Sequence, residues 1–201
     1  MDLTIAQRLI CPRGHATTPL VARVDEIVDG RIHRGLLGCP QCNGEWKIAG
    51  GVARFGGRAT LSAVAGPDAA TVAAFLALAE PGLIVCDGVA VRIVDALCRD
   101  FGAVVVALDP EELARAATAI DGAERVPLST ASARGAVLLR SQRDASFVAS
   151  AVAALAPAGR MLAAVTLPVA AGLRELARDG YFWVAEREQQ AVPVAIRRRG
   201  A

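Results

Sequence analysis

Residues 83–110, LIVCDGVAVRIVDALCRDFGAVVVALDP, change hydrophobic period twice. Residues 83–86 are continuously apolar, as a buried strand is, and residues 89–101 then set Ala90, Ile93, Val94, Leu97, Cys98 and Phe101 at helical spacing. Residues 103–108 are apolar again and are closed by Asp109-Pro110. Strand, helix and strand joined by short turns predict a parallel pair with a crossover helix.

The same alternation extends outward. Upstream, residues 68–78 carry Val72, Phe75 and Leu76 on a helical stripe that Pro81-Gly82 ends. Downstream, residues 111–120 read as a helix with acids in its first turn, where the helix dipole favours them. Residues 125–128 and 136–139 read as strands, and 145–155 as a helix striped by Phe147, Val148, Ala151 and Val152. Pro157 to Gly159 turn the chain into a strand at 160–166. Pro168 opens a helix over 169–178 that Gly180 stops, and strands over 181–186 and 192–197 form a terminal hairpin around residues 187–190. The prediction is an α/β chain: a largely parallel Rossmann-like sheet, helices on both faces, and an antiparallel hairpin at one edge.

Composition narrows the function classes. Hydrophobic residues make up 54% and charged residues 21% of 201 positions, which is a folded chain. Only eight residues are aromatic, so the core is built from Ala, Val, Leu and Ile. A net charge of +2 from 22 basic and 20 acidic residues does not mark nucleic acid as the main partner. The Arg197-Arg198-Arg199 run lacks an aromatic platform beside it and reads as a solvated end. The longest apolar candidate, residues 145–173, is interrupted by Pro157, Arg160 and Pro168, so no membrane span is expected. Residues 1–10 contain Asp2 and Arg8 and do not read as a signal peptide; a cytoplasmic location is expected.

The chain changes character near Gly56-Gly57. Residues 1–57 hold Cys11, Cys39, Cys42, both histidines and the single lysine, whereas residues 58–201 hold the alternating α/β segments. Cys11-Pro12-Arg13-Gly14-His15 and Cys39-Pro40-Gln41-Cys42 are two tight ligand turns, and Asp29-Gly30 between them predicts a hairpin over 21–28 and 31–37. Together they offer three thiolates and one imidazole, a donor set that suits structural zinc with no open coordination position. His33 is the rival fourth ligand; it falls on the hairpin rather than in a knuckle. Cys86 and Cys98 read as packed thiols, because no histidine follows residue 57 to activate them.

The first part resembles the Trm112-like zinc ribbon in Leu9-Ile10-Cys11-Pro12, Cys39-Pro40-Gln41-Cys42, Trp46-Lys47-Ile48 and Gly51-Val52-Ala53-Arg54-Phe55, with His15 where that family has a second cysteine. The resemblance implies a ribbon that partners a methyltransferase or is fused ahead of one. The remainder resembles the class I S-adenosylmethionine-dependent methyltransferase fold, best over residues 153–163. This second resemblance implies that Asp109 meets the cofactor ribose and that Gly88 lets backbone approach it. Departures from the family are concentrated in Cys86-Asp87-Gly88-Val89-Ala90, which keeps one glycine and adds two side chains, and in Arg140-Ser141-Gln142-Arg143, which offers no catalytic motif. Asp87 and Asp109 also suit loop or capping roles. The expectation is a zinc-binding, methyltransferase-like protein with a degraded S-adenosylmethionine site, no catalytic residues and a protein partner. The alternative is an active methyltransferase.

Overall fold

The structure, a computed structural model, describes residues 1–15, 18–57 and 62–189. In chain order its elements are α1 (Leu3–Ala6), β1 (Val21–Val28), β2 (Arg31–Gly38), β3 (Glu45–Ala49), β4 (Val52–Arg54), α2 (Ala69–Phe75), β5 (Leu83–Asp87), α3 (Val91–Phe101), β6 (Val104–Leu108), β7 (Thr118–Asp121), β8 (Ala133–Leu138), α4 (Ala145–Ala154), β9 (Leu155–Ala164), β10 (Leu173–Arg178) and β11 (Phe182–Arg187). The 11 strands form one sheet in the order β1-β2-β3-β4-β7-β6-β5-β8-β9-β11-β10. Strands β4, β7, β6, β5, β8 and β9 run parallel, flanked by an antiparallel meander β1–β4 on one side and the antiparallel β11 and β10 on the other.

The period-two pattern of the central strands sorts their side chains into two cores. Val85 of β5, Val106 and Leu108 of β6, Leu138 of β8 and Trp183 of β11 face one layer, where α1, α4 and the first 57 residues pack. Ile84, Val105, Val137 and Val184 face the other, covered by α2 and α3. Asp68 and Asp144 cap α2 and α4 by accepting from Thr71 N and Phe147 N. Among the described residues no helix is long and apolar enough to cross a membrane.

Three expectations give way. Residues 111–120 form no helix: nine residues separate β6 from β7, fewer than the dozen or so that a helical crossover needs, so the chain passes in irregular conformation. The third parallel strand is Thr118–Asp121 rather than 125–128, of which only Leu128 makes a bridge, to Leu9. The helix expected over 169–178 is β10, an edge strand in which only Leu173 is buried. The antiparallel ladder to β11 outweighs the helical spacing of Val169, Leu173 and Leu176. The antiparallel hairpin that the structure describes at this edge is β10–β11, and the strand expected over 192–197 and the Arg197-Arg198-Arg199 run lie outside the described residues.

The sheet is continuous across residue 57. β4 adds in parallel to β7, pairing Val52 with Ala119, Ala53 with Ile120 and Arg54 with Asp121, and Phe55 N donates to Asp121 O at 2.8 Å. Just beyond this seam two backbones touch: Gly122 has φ +69°, and a Cβ there would lie 2.3 Å from the Gly56 carbonyl carbon. Gly122→Ala is expected to destabilise the protein by about 2–3 kcal/mol, because neither main chain can retreat from a ladder without losing hydrogen bonds. Urea unfolding measures this; a wild-type midpoint would show that the seam yields freely.

Candidate functional site

The two ligand turns are positioned by strand ends. Gly38 pairs with Glu45, so Cys39 to Gly44 form the loop joining β2 to β3, closed by Cys39 N to Gly44 O and Asn43 N to Cys39 O, each 2.9 Å. The first knuckle is held beside it by bridges from Leu9 to Leu128 and from Ile10 to Pro19, and Thr18 Oγ1 donates to Gln41 Oε1 at 2.7 Å across the two turns. Gly44 is required here: a Cβ would meet the Trp46 ring at 2.7 Å and Cys42 Sγ at 3.3 Å. Trp46 in turn packs edge-on against Phe55, centroids 5.6 Å apart.

This geometry brings the donor atoms of Cys11, His15, Cys39 and Cys42 within 4.8 Å of one another. Cys11 Sγ lies 3.7 Å from Cys42 Sγ, and Cys39 Sγ lies 3.7 Å from His15 Nδ1. Bonds of about 2.3 Å to sulfur and 2.0 Å to nitrogen give a tetrahedron edges of roughly 3.5–3.8 Å, which these two separations match, so the four donors are placed to hold one zinc-sized ion. His33 lies elsewhere, exposed on β2 with Nδ1 3.4 Å from Glu26 Oε2. Burial alone pushes the Cys39 thiol up, but the N–H groups of Cys42 and Gln41, with His15 and Cys11, bring it down to about 6; burial pushes Cys11 up to about 11. One thiolate thus forms readily, and a divalent cation would displace the remaining protons on binding.

A second feature lies at the carboxyl ends of β5 and β6. Strand order reverses between β5 and β8, the position at which open α/β sheets present a crevice. A cavity of about 380 Å³ opens there, lined among others by Ala65, Gly88, Val89, Ala90, Glu111, Glu112 and Arg140. Gly88 has φ +76°, and a Cβ on it would fall 2.8 Å from Ala63 Cβ and 2.9 Å from Arg140 Cγ.

Two buried acids at the strand ends behind this cavity, Asp87 and Asp109, are already engaged. Arg140 Nη1 donates to Asp87 Oδ1 at 2.8 Å and to Leu108 O at 2.9 Å, and its Nη2 donates to Asp109 O at 2.7 Å. Arg143 donates to Asp87 Oδ1 and Oδ2 at 2.8 and 3.0 Å, and to Asp109 Oδ2 at 2.9 Å. Asp109 Oδ1 accepts from Gly122 N at 2.6 Å. Both carboxylates are fully buried and the two guanidiniums nearly so, making a neutral set of two anions and two cations across the strand ends. Burial lowers the pKa of Arg143, but Asp87 and Asp109 more than offset this and hold it above its ordinary value. Arg140 and Arg143 are the residues that motif reasoning passed over; their signal was two arginines three apart directly after a buried apolar strand, facing acids at two other strand ends.

No model of a known protein family matches the sequence, and no curated protein matches it. Among solved structures, the chain is similar to the 1,6-didemethyltoxoflavin-N1-methyltransferase of Burkholderia thailandensis, determined with 1,6-didemethyltoxoflavin and S-adenosylhomocysteine bound. The TM-score is 0.44 and the identity 14%, over 60% of this chain and 76% of that one. It is also similar to the antibiotic-resistance methyltransferase Kmr, with TM-score 0.41 and identity 12%, over 63% of this chain and 95% of that one.

Proposed function

We propose that the chain is a zinc-binding, methyltransferase-like protein whose S-adenosylmethionine seat is closed from within, and that it serves as a binding or scaffold subunit. Residues 1–57 act as a Trm112-like ribbon and residues 58–201 as the methyltransferase-like part. Cys11, His15, Cys39 and Cys42 hold a structural zinc; with four protein donors the ion has no position left for water or substrate, so it does no hydrolytic work.

The observation that carries the proposal is the buried set of Asp87, Asp109, Arg140 and Arg143. Asp109 is fully buried, so for its carboxylate to reach ribose hydroxyls it must swing out towards the crevice and leave Arg143 or Gly122. Breaking a buried ion pair costs about 3–5 kcal/mol, whereas a hydrogen bond to a charged group returns about 1.5–3 kcal/mol. The exchange is unfavourable, so the residues at this site do not fit the cofactor. Isothermal titration of the zinc-loaded protein with S-adenosylmethionine and S-adenosylhomocysteine is expected to show no saturable heat. A micromolar dissociation constant would overturn the proposal.

One observation favours the alternative of an active methyltransferase: the cavity beside Gly88 falls within the range of roughly 300–1,000 Å³ typical of small-molecule sites. On that reading Gly88 and Asp109 hold the cofactor, and Asp109→Ala must weaken its binding. Unchanged affinity in that variant would rule the alternative out.

A further inference from the structure

The sheet ends at β1, whose outer edge pairs with no strand among the described residues. Edge strands are ordinarily short, or guarded by charge or proline, because a free row of N–H and C=O groups recruits other strands. β1 spans eight residues and is largely apolar on the outside: Val21 is 63%, Val24 38%, Ile27 54% and Val28 44% exposed. Of the ten large apolar side chains exposed among the described residues, four lie on this one strand. The opposite edge differs. β10 presents Arg174, Glu175 and Arg178, with Glu175 bound to Arg178 and Arg174 to Glu186, and one exposed apolar side chain, Leu176.

We infer that β1 is a homodimerisation edge, pairing antiparallel with β1 of a second copy about a two-fold axis near Val24-Asp25. The sequence VARVDEIV is complementary to itself when reversed. Asp25 bulges out of the β1–β2 ladder, so Val21, Arg23, Glu26 and Val28 share one face; in the register that pairs Arg23 with Glu26 of the copy, Val21 falls opposite Val28. Opposite charges and apolar pairs across strands are the favourable cross-strand combinations. An isologous interface demands such self-complementarity, which a different partner would not select for. A single free apolar edge among the described residues also closes the assembly at two copies. Asp25 and His33 interrupt the β1–β2 register and bend the strand, which keeps the contact small and its affinity modest.

Light scattering after size exclusion on the full zinc-loaded chain is the test. The mass is expected to rise from 20.8 kDa towards twice that value across the micromolar range. Ile27→Lys and Arg23→Glu are each expected to raise the dissociation constant at least about tenfold, with far-ultraviolet circular dichroism unchanged. Combining Arg23→Glu with Asp25→Arg and Glu26→Arg, which also reverses the Arg23–Asp25 pair within the chain, is expected to restore the dimer. A monomer at all concentrations up to about 200 µM, well above micromolar affinity, would overturn the inference. So would a dimer that both single substitutions leave intact, or a triple variant that stays monomeric. The outcome is independent of whether an adenosyl compound binds at the strand ends.

Discussion

Cys39→Ser is expected to abolish stoichiometric zinc binding and to melt β1, β2 and β3 while the central parallel strands persist. Structural zinc contributes roughly 10–16 kcal/mol of apparent binding free energy to small domains at neutral pH. The first 57 residues need such a contribution. β1 is mostly solvent-exposed, β2 buries only Ile32, Gly35 and Leu37, and the meander's own core is a handful of side chains, chiefly Ile32, Leu37, Trp46 and Ile48. Cys39 is the most damaging ligand to change. It is buried, it receives the backbone N–H groups that favour a thiolate, and its loop sets the register between β2 and β3. His15 is half-buried and sits in the more open knuckle, so His15→Ala should retain weaker metal binding through three thiolates. Elemental analysis and hydrogen exchange measure both variants; the expected pattern is exchange protection lost from residues 21–49 in Cys39→Ser and only reduced in His15→Ala. Metal-free wild-type protein with full protection in the same residues would sink the structural role.

The melting should not stop cleanly at residue 57, because of how the parts are joined. Val52, Ala53 and Arg54 form a ladder with β7, and Met1, Ile5 and Leu9 pack in the same core as Val85 and Trp183. The midpoint of the remaining sheet is therefore expected to fall as well. Two parts that shared no sheet would show two independent transitions; a shared sheet couples them.

What the sequence disclosed follows from how local each signal is. The β5–α3–β6 unit was legible because each element announces its period over its own residues, and Asp29-Gly30 located the β1–β2 turn because both residues must take positive φ, here 49° and 73°. The four metal donors were legible because each knuckle is a contiguous motif. β7 was not: Thr118-Ala119-Ile120-Asp121 is short and resembles the tail of a helix, and it becomes a buried central strand only because β4 adds outside it. β10 carries a helix-compatible pattern that the ladder to β11 overrides. The ion set at the strand ends was the least visible part. Its partners lie 53, 56 and 34 positions apart in the chain, and no single-segment pattern connects residues at such separations.

That ion set yields the second large effect. Arg143→Ala is expected to destabilise the protein by about 3–5 kcal/mol, the usual consequence of leaving buried charge unpaired. The thermal midpoint should fall by roughly 10 °C. The side chain is 7% exposed, and its removal leaves Asp109 with only Gly122 N and Asp87 with only Arg140 among the hydrogen bonds described above. It also removes the guanidinium stacked 4.1 Å from the Phe147 ring, so packing is lost with the charge. Arg143→Lys keeps the charge but cannot bridge two carboxylates with a planar fork, and should recover less than the full loss. In a double-mutant cycle with Asp109→Asn the two losses should not add, since the partners touch at 2.9 Å. The same variant separates a closed cofactor seat from a merely structural network. If Arg143 keeps ligand out, Arg143→Ala frees Asp109 Oδ2 and should bind S-adenosylhomocysteine measurably where the wild type does not. A variant that is destabilised by this amount and still takes up no adenosyl ligand would show that the network shapes the strand ends without guarding a seat.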